Sequence, residues 1–139
     1  MKSYLLDASA FIYLIKNIDE ALVFRCVQES AVLDLTFYEV GNALWKEGTI
    51  AKMLSPHESE ELAVNAQTIL ARMERVAGKA DGFHGILDLA RKERLSFYDS
   101  SYLWSAKEKE LTLVTDDKEL YNKAKKHINV QKTADFNRA

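Results

Sequence analysis

The chain has 139 residues, 47% of them hydrophobic and 29% charged, which fits one domain over residues 1–139 with a substantial core. The single Cys26 excludes an intramolecular disulfide and a cysteine metal site, and no apolar run approaches the roughly 20 residues that span a bilayer. The formal net charge of −2 does not indicate nucleic-acid binding, although residues 70–139 carry 14 basic and 11 acidic side chains. The amino-terminal residues lack the pattern of a signal peptide, so we expect a cytoplasmic protein.

Four short apolar segments predict strands. Tyr4, Leu5 and Leu6 form an apolar run without alternation, as in a strand that is covered on both faces. The other predicted strands are residues 31–35, 111–114 and 128–130.

Apolar periodicity and capping residues predict helices between these strands. The predicted helices are residues 8–16, 19–28, 36–47, 57–77, 83–94, 96–109 and 116–126. Strands that alternate with helices favour parallel pairing and right-handed crossovers. The predicted fold is therefore α/β, with a small parallel sheet of four to five strands and helices on both faces. Residues 36–109 are expected to form a helical insertion between strands two and three.

Acidic side chains stand after strands or at helix starts, at Asp7, Glu39, Asp99 and the pair Asp116/Asp117. Because parallel strands place their carboxyl ends at one edge, we expect Asp7, Glu39 and Asp117 to approach each other there. Asp99 follows no strand, so its position depends on how its helix packs. Each acid taken alone is also explained as a helix cap, with Thr36 and Ser96 as capping-box partners of Glu39 and Asp99.

Together, these acids predict more than capping. Two carboxylates about 4 Å apart repel each other by about 4 kcal/mol at an effective dielectric constant near 20. Such a cluster must hold protons, attract basic partners or bind a cation. Oxygen ligands without histidine or cysteine suit Mg²⁺ or Mn²⁺.

Four segments carry these acids in a common pattern: DAS at residues 7–9, TFYEVGNALW at 36–45, SFYDSSY at 96–102 and LVTDDKEL at 113–120. In this order and spacing, over nearly the whole chain, they resemble the PIN-domain ribonucleases. The resemblance is greatest to the VapC-type toxins of toxin–antitoxin pairs. It implies a Mg²⁺-dependent or Mn²⁺-dependent endoribonuclease.

The resemblance also implies roles for individual residues. The catalytic and metal-binding acids would be Asp7, Glu39, Asp99 and Asp117, with Asp7 and Asp99 as direct ligands and the other two acting through water. Asp117 is preferred because it lies two residues after a threonine, with Asp116 left as the alternative fourth acid. The number of metal ions, one or two, stays open.

Further positions of the pattern imply supporting residues and partners. Ser9, Asn42 and Thr115 would support the site, and Asp116 would cap the following helix. The resemblance implies an RNA substrate, a small VapB-like antitoxin and a homodimer. The apolar stripe of the predicted helix 57–77 points to the same dimer, unless it lies wholly in the core of one subunit.

Two other functions compete with this one. A phosphoacceptor receiver domain also clusters acids, but Lys118 is poorly placed for it, and an inactive PIN-like binding module is the second alternative. Base stacking is conceivable for Phe97, Tyr98, Tyr102 and Trp104, with core packing expected for most of them. All three histidines are expected at the surface: His57, His84 and His127.

Overall fold

The computed structural model describes residues 2–138, in which five strands form one parallel sheet. The strands are β1 Tyr4–Leu6, β2 Ser30–Leu33, β3 Glu74–Val76, β4 Thr112–Val114 and β5 Val130–Gln131. Their order across the sheet is β3-β2-β1-β4-β5, and every neighbouring pair runs parallel. Leu5 at the centre lies opposite Ala31 on one side and Leu113 on the other. The carboxyl ends of all five strands therefore meet at one edge.

In the part of the chain that the structure describes, eight α-helices surround this sheet. They are α1 Ala8–Lys16, α2 Glu20–Glu29, α3 Asp34–Trp45, α4 Pro56–Leu70, α5 Phe83–Glu93, α6 Phe97–Glu108, α7 Lys118–Ala124 and α8 Thr133–Arg138. A π-helical segment, Lys46–Ile50, continues α3, and a 3₁₀ turn, Ala80–Gly82, precedes α5. Within the described residues, every helix is too short or too polar to cross a membrane.

The core consists of two layers, one on each face of the sheet. Alternate strand residues point to opposite faces, so neighbouring buried positions of β1 enter different layers. Leu6, Val32 and Val114 pack with buried residues of α1, α2, α4 and α8. Leu5, Ala31 and Leu113 pack with buried residues of α6 and α7. The predicted fold class, a parallel sheet with helices on both faces, is confirmed.

One strand was missed in the sequence. The predicted helix 57–77 ends at Leu70, and its last part is β3, which extends the sheet by pairing with β2. Residues 36–109 are therefore not purely helical. Glu74 and Arg75 are exposed and only Val76 of this edge strand is buried, so the pairing depends on tertiary contacts that a periodic pattern does not contain.

Several boundaries also differ from the prediction. The helix expected from residue 36 begins at Asp34, and it passes Gly48 as a π-helical turn instead of ending there. The final strand lies at Val130–Gln131 and not at 128–130. Helix α8 was not predicted; its Phe136 is fully buried and packs edge-on against the Tyr4 ring at 5.0 Å between centroids.

Candidate active site

Asp7 stands at the end of β1 and caps α1. Its Oδ1 accepts hydrogen bonds from the Ala10 amide at 2.9 Å and the Ser9 hydroxyl at 2.7 Å, and its Oδ2 accepts one from the Thr115 hydroxyl. The side chain is only 5% exposed. Burial raises the pKa of this carboxyl group from 3.8 to about 6, although the three hydrogen bonds oppose the shift. Asp7 is thus both a helix cap and a buried acid that ionises at a cost.

Two hydroxyl groups connect Asp7 to the loop after β4. Ser9 Oγ accepts a hydrogen bond from the Asp116 amide at 3.0 Å, and Thr115 Oγ1 accepts one from the Asp117 amide at 3.0 Å. Each hydroxyl therefore donates to Asp7 while it accepts from a backbone amide of the loop. This arrangement holds the loop that carries Asp116 and Asp117 against the end of β1.

Asp99 lies in the first turn of α6. Its amide donates to Ser96 Oγ at 3.0 Å, so Ser96 caps the helix through the backbone of Asp99 and not through its carboxylate. Burial, and after it the negative charges of Asp117, Asp7 and Glu39, raise the pKa of the Asp99 carboxyl group to about 6. Each of the other three acids therefore lies close enough to raise the pKa of Asp99. Its helix does bring it to the edge of the sheet where they lie.

Glu39 projects from α3 towards a buried tyrosine. Tyr102 is 1% exposed, and its hydroxyl donates to Glu39 Oε1 at 2.7 Å. Thr36 Oγ1 lies 2.8 Å from the same hydroxyl, and it accepts a hydrogen bond from the Leu33 amide at 3.2 Å. Because the Tyr102 proton is given to Glu39, the Thr36 hydroxyl donates its own proton to the Tyr102 oxygen. The predicted capping box of Thr36 and Glu39 is wrong. Helix α3 begins at Asp34, two residues before Thr36, and the Glu39 carboxylate accepts a hydrogen bond from Tyr102 instead of from the helix start.

The two adjacent aspartates after β4 have different partners. Asp117 caps α7, its Oδ1 accepting from the Leu120 amide at 2.8 Å, and its charge raises the pKa of Asp7. Asp116 turns away, and its Oδ1 accepts from the Thr133 amide at 2.9 Å at the start of α8. The prediction that Asp116 caps the helix after β4 is therefore wrong.

The carboxylates of Asp7, Glu39, Asp99 and Asp117 are suitable ligands for a divalent cation, but their spacing in this structure is not that of a metal site. Within residues 2–138, no group of three or more His, Cys, Asp or Glu side chains is spaced to hold a metal ion. The donor set consists of carboxylate oxygens alone, which suits Mg²⁺ or Mn²⁺. The raised pKa values of Asp7 and Asp99 reflect burial and mutual repulsion that such a cation would relieve. The residues thus fit a hard metal ion.

The predicted supporting residue Asn42 and the candidate stacking residues differ in how exposed they are. Asn42 lies exposed on α3, one turn beyond Glu39. Tyr102 is buried, whereas Tyr98 is 59% exposed. Trp104 packs so closely against α5 that a Cβ at Gly85 would lie 2.4 Å from its ring.

The histidines also divide into two groups. His57 and His84 are exposed, as expected. His127 is only partly exposed, with 21% of its side chain accessible, and its Nε2 lies 2.6 Å from Glu93 Oε2.

Tyr102 lies in the core, as expected for most of these aromatic residues. Its contact with Glu39 was not predicted, because no local pattern connects two residues 63 positions apart. Its spacing of three residues from Asp99 on α6 is the one available signal, since residues three apart share a helix face.

Comparison with known proteins adds an independent finding. Residues 4–126 match the family model described as PIN domain. The chain is 35% identical over 128 residues to a protein of Pyrobaculum aerophilum named Exonuclease VapC9, an alignment that covers 92% of this chain and 90% of that protein.

Solved structures resemble the chain as well. A crystal structure of the P. aerophilum protein PAE2754 has a TM-score of 0.82 at 30% identity, covering 97% of this chain and 93% of the other. DNA-bound VapBC from Salmonella typhimurium has a TM-score of 0.68 at 22% identity and covers 96% of this chain and 99% of that one, a likeness of fold alone.

Proposed function

Because the chain belongs to the PIN-domain family, we propose that it is a metal-dependent endoribonuclease and the toxin of a VapBC-type toxin–antitoxin pair. The catalytic and metal-binding acids are Asp7, Glu39, Asp99 and Asp117. The observation that carries the proposal is their convergence at the carboxyl edge of the sheet, with the pKa of both Asp7 and Asp99 raised to about 6. A relative named as an exonuclease supports nuclease chemistry and leaves the endonucleolytic mode to be tested.

The proposed chemistry is hydrolysis of a phosphodiester bond. Asp7 and Asp99 would hold a Mg²⁺ or Mn²⁺ ion directly, with Glu39 and Asp117 reaching it through water, because Mg²⁺ keeps several of its waters. When bound, such an ion lowers the pKa of a water and stabilises the charge that grows on the phosphate.

The chain contributes orientation to this chemistry. Hydrogen bonds from Ser9, Ala10 and Thr115 fix the Asp7 carboxylate. The Tyr102 hydroxyl holds Glu39. These contacts keep two of the acids from rotating away from each other.

Cleavage of linear and circular single-stranded RNA tests the proposal. Wild type should cleave both substrates with Mg²⁺ or Mn²⁺ and neither with chelator, since a circle has no end for an exonuclease. Asp99→Asn should abolish cleavage and remain folded, because Ser96 caps α6 through the backbone amide of residue 99. Asp88→Asn, at an exposed aspartate of α5, is the matched control and should cleave normally.

Three contrary results have distinct meanings. Cleavage of linear RNA alone would contradict the endonucleolytic mode. Cleavage that survives both chelator and Asp99→Asn would contradict the assignment of the acids. Folded wild type without nuclease activity would favour the inactive binding module. Membership of the PIN-domain family excludes the receiver-domain alternative.

The proposed partners are a second copy of the chain and a small VapB-like antitoxin. The apolar stripe of α4 does not support the dimer, because its Leu62, Ala66 and Ile69 are buried within one subunit. Exposed aromatic residues of α3 support it better, since Tyr38 is 70% and Trp45 52% exposed. Light scattering should give twice the 15.8 kDa subunit mass, and a monomer at micromolar concentration would reject the dimer.

A further inference from the structure

A pocket of about 380 Å³ lies at the carboxyl ends of β2 and β3. It is formed by the end of β2 and the residues after it, by the residues that follow β3, by the first turn of α5 and by one face of α6. Tyr98 and Ser101, which flank Asp99 on α6, both line it. Because Tyr98 immediately precedes Asp99 in the chain, a strand whose phosphate is bound at Asp99 can extend towards this pocket.

Three aromatic side chains line the pocket: Phe83, Phe97 and Tyr98. The rings of Phe83 and Phe97 lie 5.2 Å apart between centroids, inclined by 41°. Phe83 and Tyr98 are each 59% exposed although they belong to the first turns of two packed helices. Flat, accessible rings of this kind bind unpaired nucleic-acid bases by stacking.

A carboxylate also lines the pocket. Asp34 is the first residue of α3, and its Oδ1 accepts a hydrogen bond from the amide of Leu35 at 2.8 Å. Its Oδ2 accepts only a long bond of 3.4 Å from the Gly78 amide, and no salt bridge to it forms within residues 2–138. Lys79 lines the same pocket. Both a strong acceptor and a cationic donor are thus available to a ligand.

We infer that this pocket binds a guanine base of the substrate strand next to the scissile phosphate, an inference that rests on the proposed nuclease function. Guanine is the base whose Watson–Crick edge offers two adjacent N–H donors, from N1 and N2, and these match one carboxylate. Adenine and cytosine offer one donor beside an acceptor, which the Asp34 carboxylate repels. The guanine O6 and N7 atoms are suitable acceptors for Lys79. Unstacked bases of single-stranded RNA expose the edges that this recognition needs.

Binding of single nucleotides tests the pocket without relying on catalysis. The probes are GMP, AMP, CMP and UMP, titrated by calorimetry up to millimolar concentration into full-length Asp99→Asn protein with chelator present. GMP should bind about 10- to 100-fold more tightly than AMP, the discrimination expected of a good bidentate contact. Adding Asp34→Asn should remove this preference, because the amide replaces one acceptor oxygen by a donor. Tyr98→Ala should weaken all four nucleotides, and Asp88→Asn should change none.

A cleavage assay gives the second readout. Sequencing the products of a random RNA pool should show guanine enriched beside the cut for wild type and not for Asp34→Asn. Equal or absent binding of the four nucleotides, or a GMP preference that survives Asp34→Asn, overturns the inference whatever the nuclease assay gives. GMP binding that disappears as light scattering shows dimers forming also overturns it, since a second copy then fills the pocket. Selective, Asp34-dependent GMP binding without RNA cleavage supports the pocket and contradicts the nuclease.

Discussion

The hydroxyl group of Tyr102 donates a 2.7 Å hydrogen bond to Oε1 of Glu39. The same hydroxyl accepts a hydrogen bond from the hydroxyl of Thr36. The Thr36 oxygen in turn accepts one from the Leu33 amide at the end of β2. A continuous chain of hydrogen bonds therefore runs from the sheet to one of the candidate acids. Burial raises the pKa of the Tyr102 hydroxyl well above its ordinary value, so the group remains a donor. Tyr102 acts as a positioning residue for Glu39.

Tyr102→Phe should separate this positioning from simple packing. The phenyl ring still fills the core, and the lost hydrogen bond should lower the free energy of unfolding by about 1 kcal/mol. Groups that orient metal ligands contribute about 10- to 100-fold to metal affinity, so Mn²⁺ affinity should fall by this factor. Calorimetry measures the affinity, and kcat and KM are measured beside it.

The control is Tyr13→Phe, at a partly buried tyrosine of α1. It should leave both metal affinity and turnover unchanged. If Tyr102→Phe lowers the melting temperature and leaves Mn²⁺ affinity as in wild type, Tyr102 is a packing residue only.

Asp7 should make the protein less stable as the pH rises. The folded pKa is about 6 and the ordinary value is 3.8, so the folded state binds a proton more readily than the unfolded state. The free energy of unfolding therefore falls between about pH 4 and pH 6, and about 3 kcal/mol is lost by pH 7 through this group. Asp7→Asn removes the charge and keeps an oxygen that accepts the Ala10 amide.

Urea unfolding at several pH values measures this effect. Asp7→Asn should match wild type near pH 4, where the aspartate is protonated, and exceed it at pH 7. The same variant should be inactive as a nuclease. A loss of stability at both pH values would instead mean that the Asp7 carboxylate is a net stabilising contact.

Divalent metal ions should stabilise the folded protein, because they bind the native acids and relieve their repulsion. Millimolar Mg²⁺ or Mn²⁺ should raise the melting temperature at pH 7.5. The rise should be smaller at pH 5, where protons compete at Asp7 and Asp99, whose pKa values are both about 6. Asp99→Asn should also reduce it. An unchanged melting temperature together with no calorimetric binding rules out the metal site.

Four of the five strands, and the approach of Asp7, Glu39 and Asp117 to one edge of the sheet, could be predicted from local sequence for physical reasons. The apolar run of β1 followed by Asp7 is a local signal, since a buried strand and a capping acid are both encoded by neighbouring residues. Strand β3 could not be predicted in this way, because its Glu74 and Arg75 are exposed and its pairing with β2 is made by distant residues.

The finer contacts of the site lie beyond sequence spacing. The contact of Tyr102 with Glu39 joins residues 63 positions apart on two different helices. The backbone of the loop after β4 directs the Asp116 carboxylate to α8 and the Asp117 carboxylate to α7. Adjacent identical residues carry no pattern that distinguishes them.

The last prediction compares these two aspartates. Asp117→Asn keeps the cap on the Leu120 amide, since Asn caps about as well as Asp, so the fold should persist while cleavage falls. Asp116→Ala removes the acceptor of the Thr133 amide and should lower the free energy of unfolding by about 1 kcal/mol while cleavage continues. Hydrogen exchange at the Thr133 amide should quicken in Asp116→Ala alone, because that amide loses its partner there. If Asp116→Ala stops cleavage and Asp117→Asn does not, Asp116 is the fourth acid, and the loop must rearrange when metal binds.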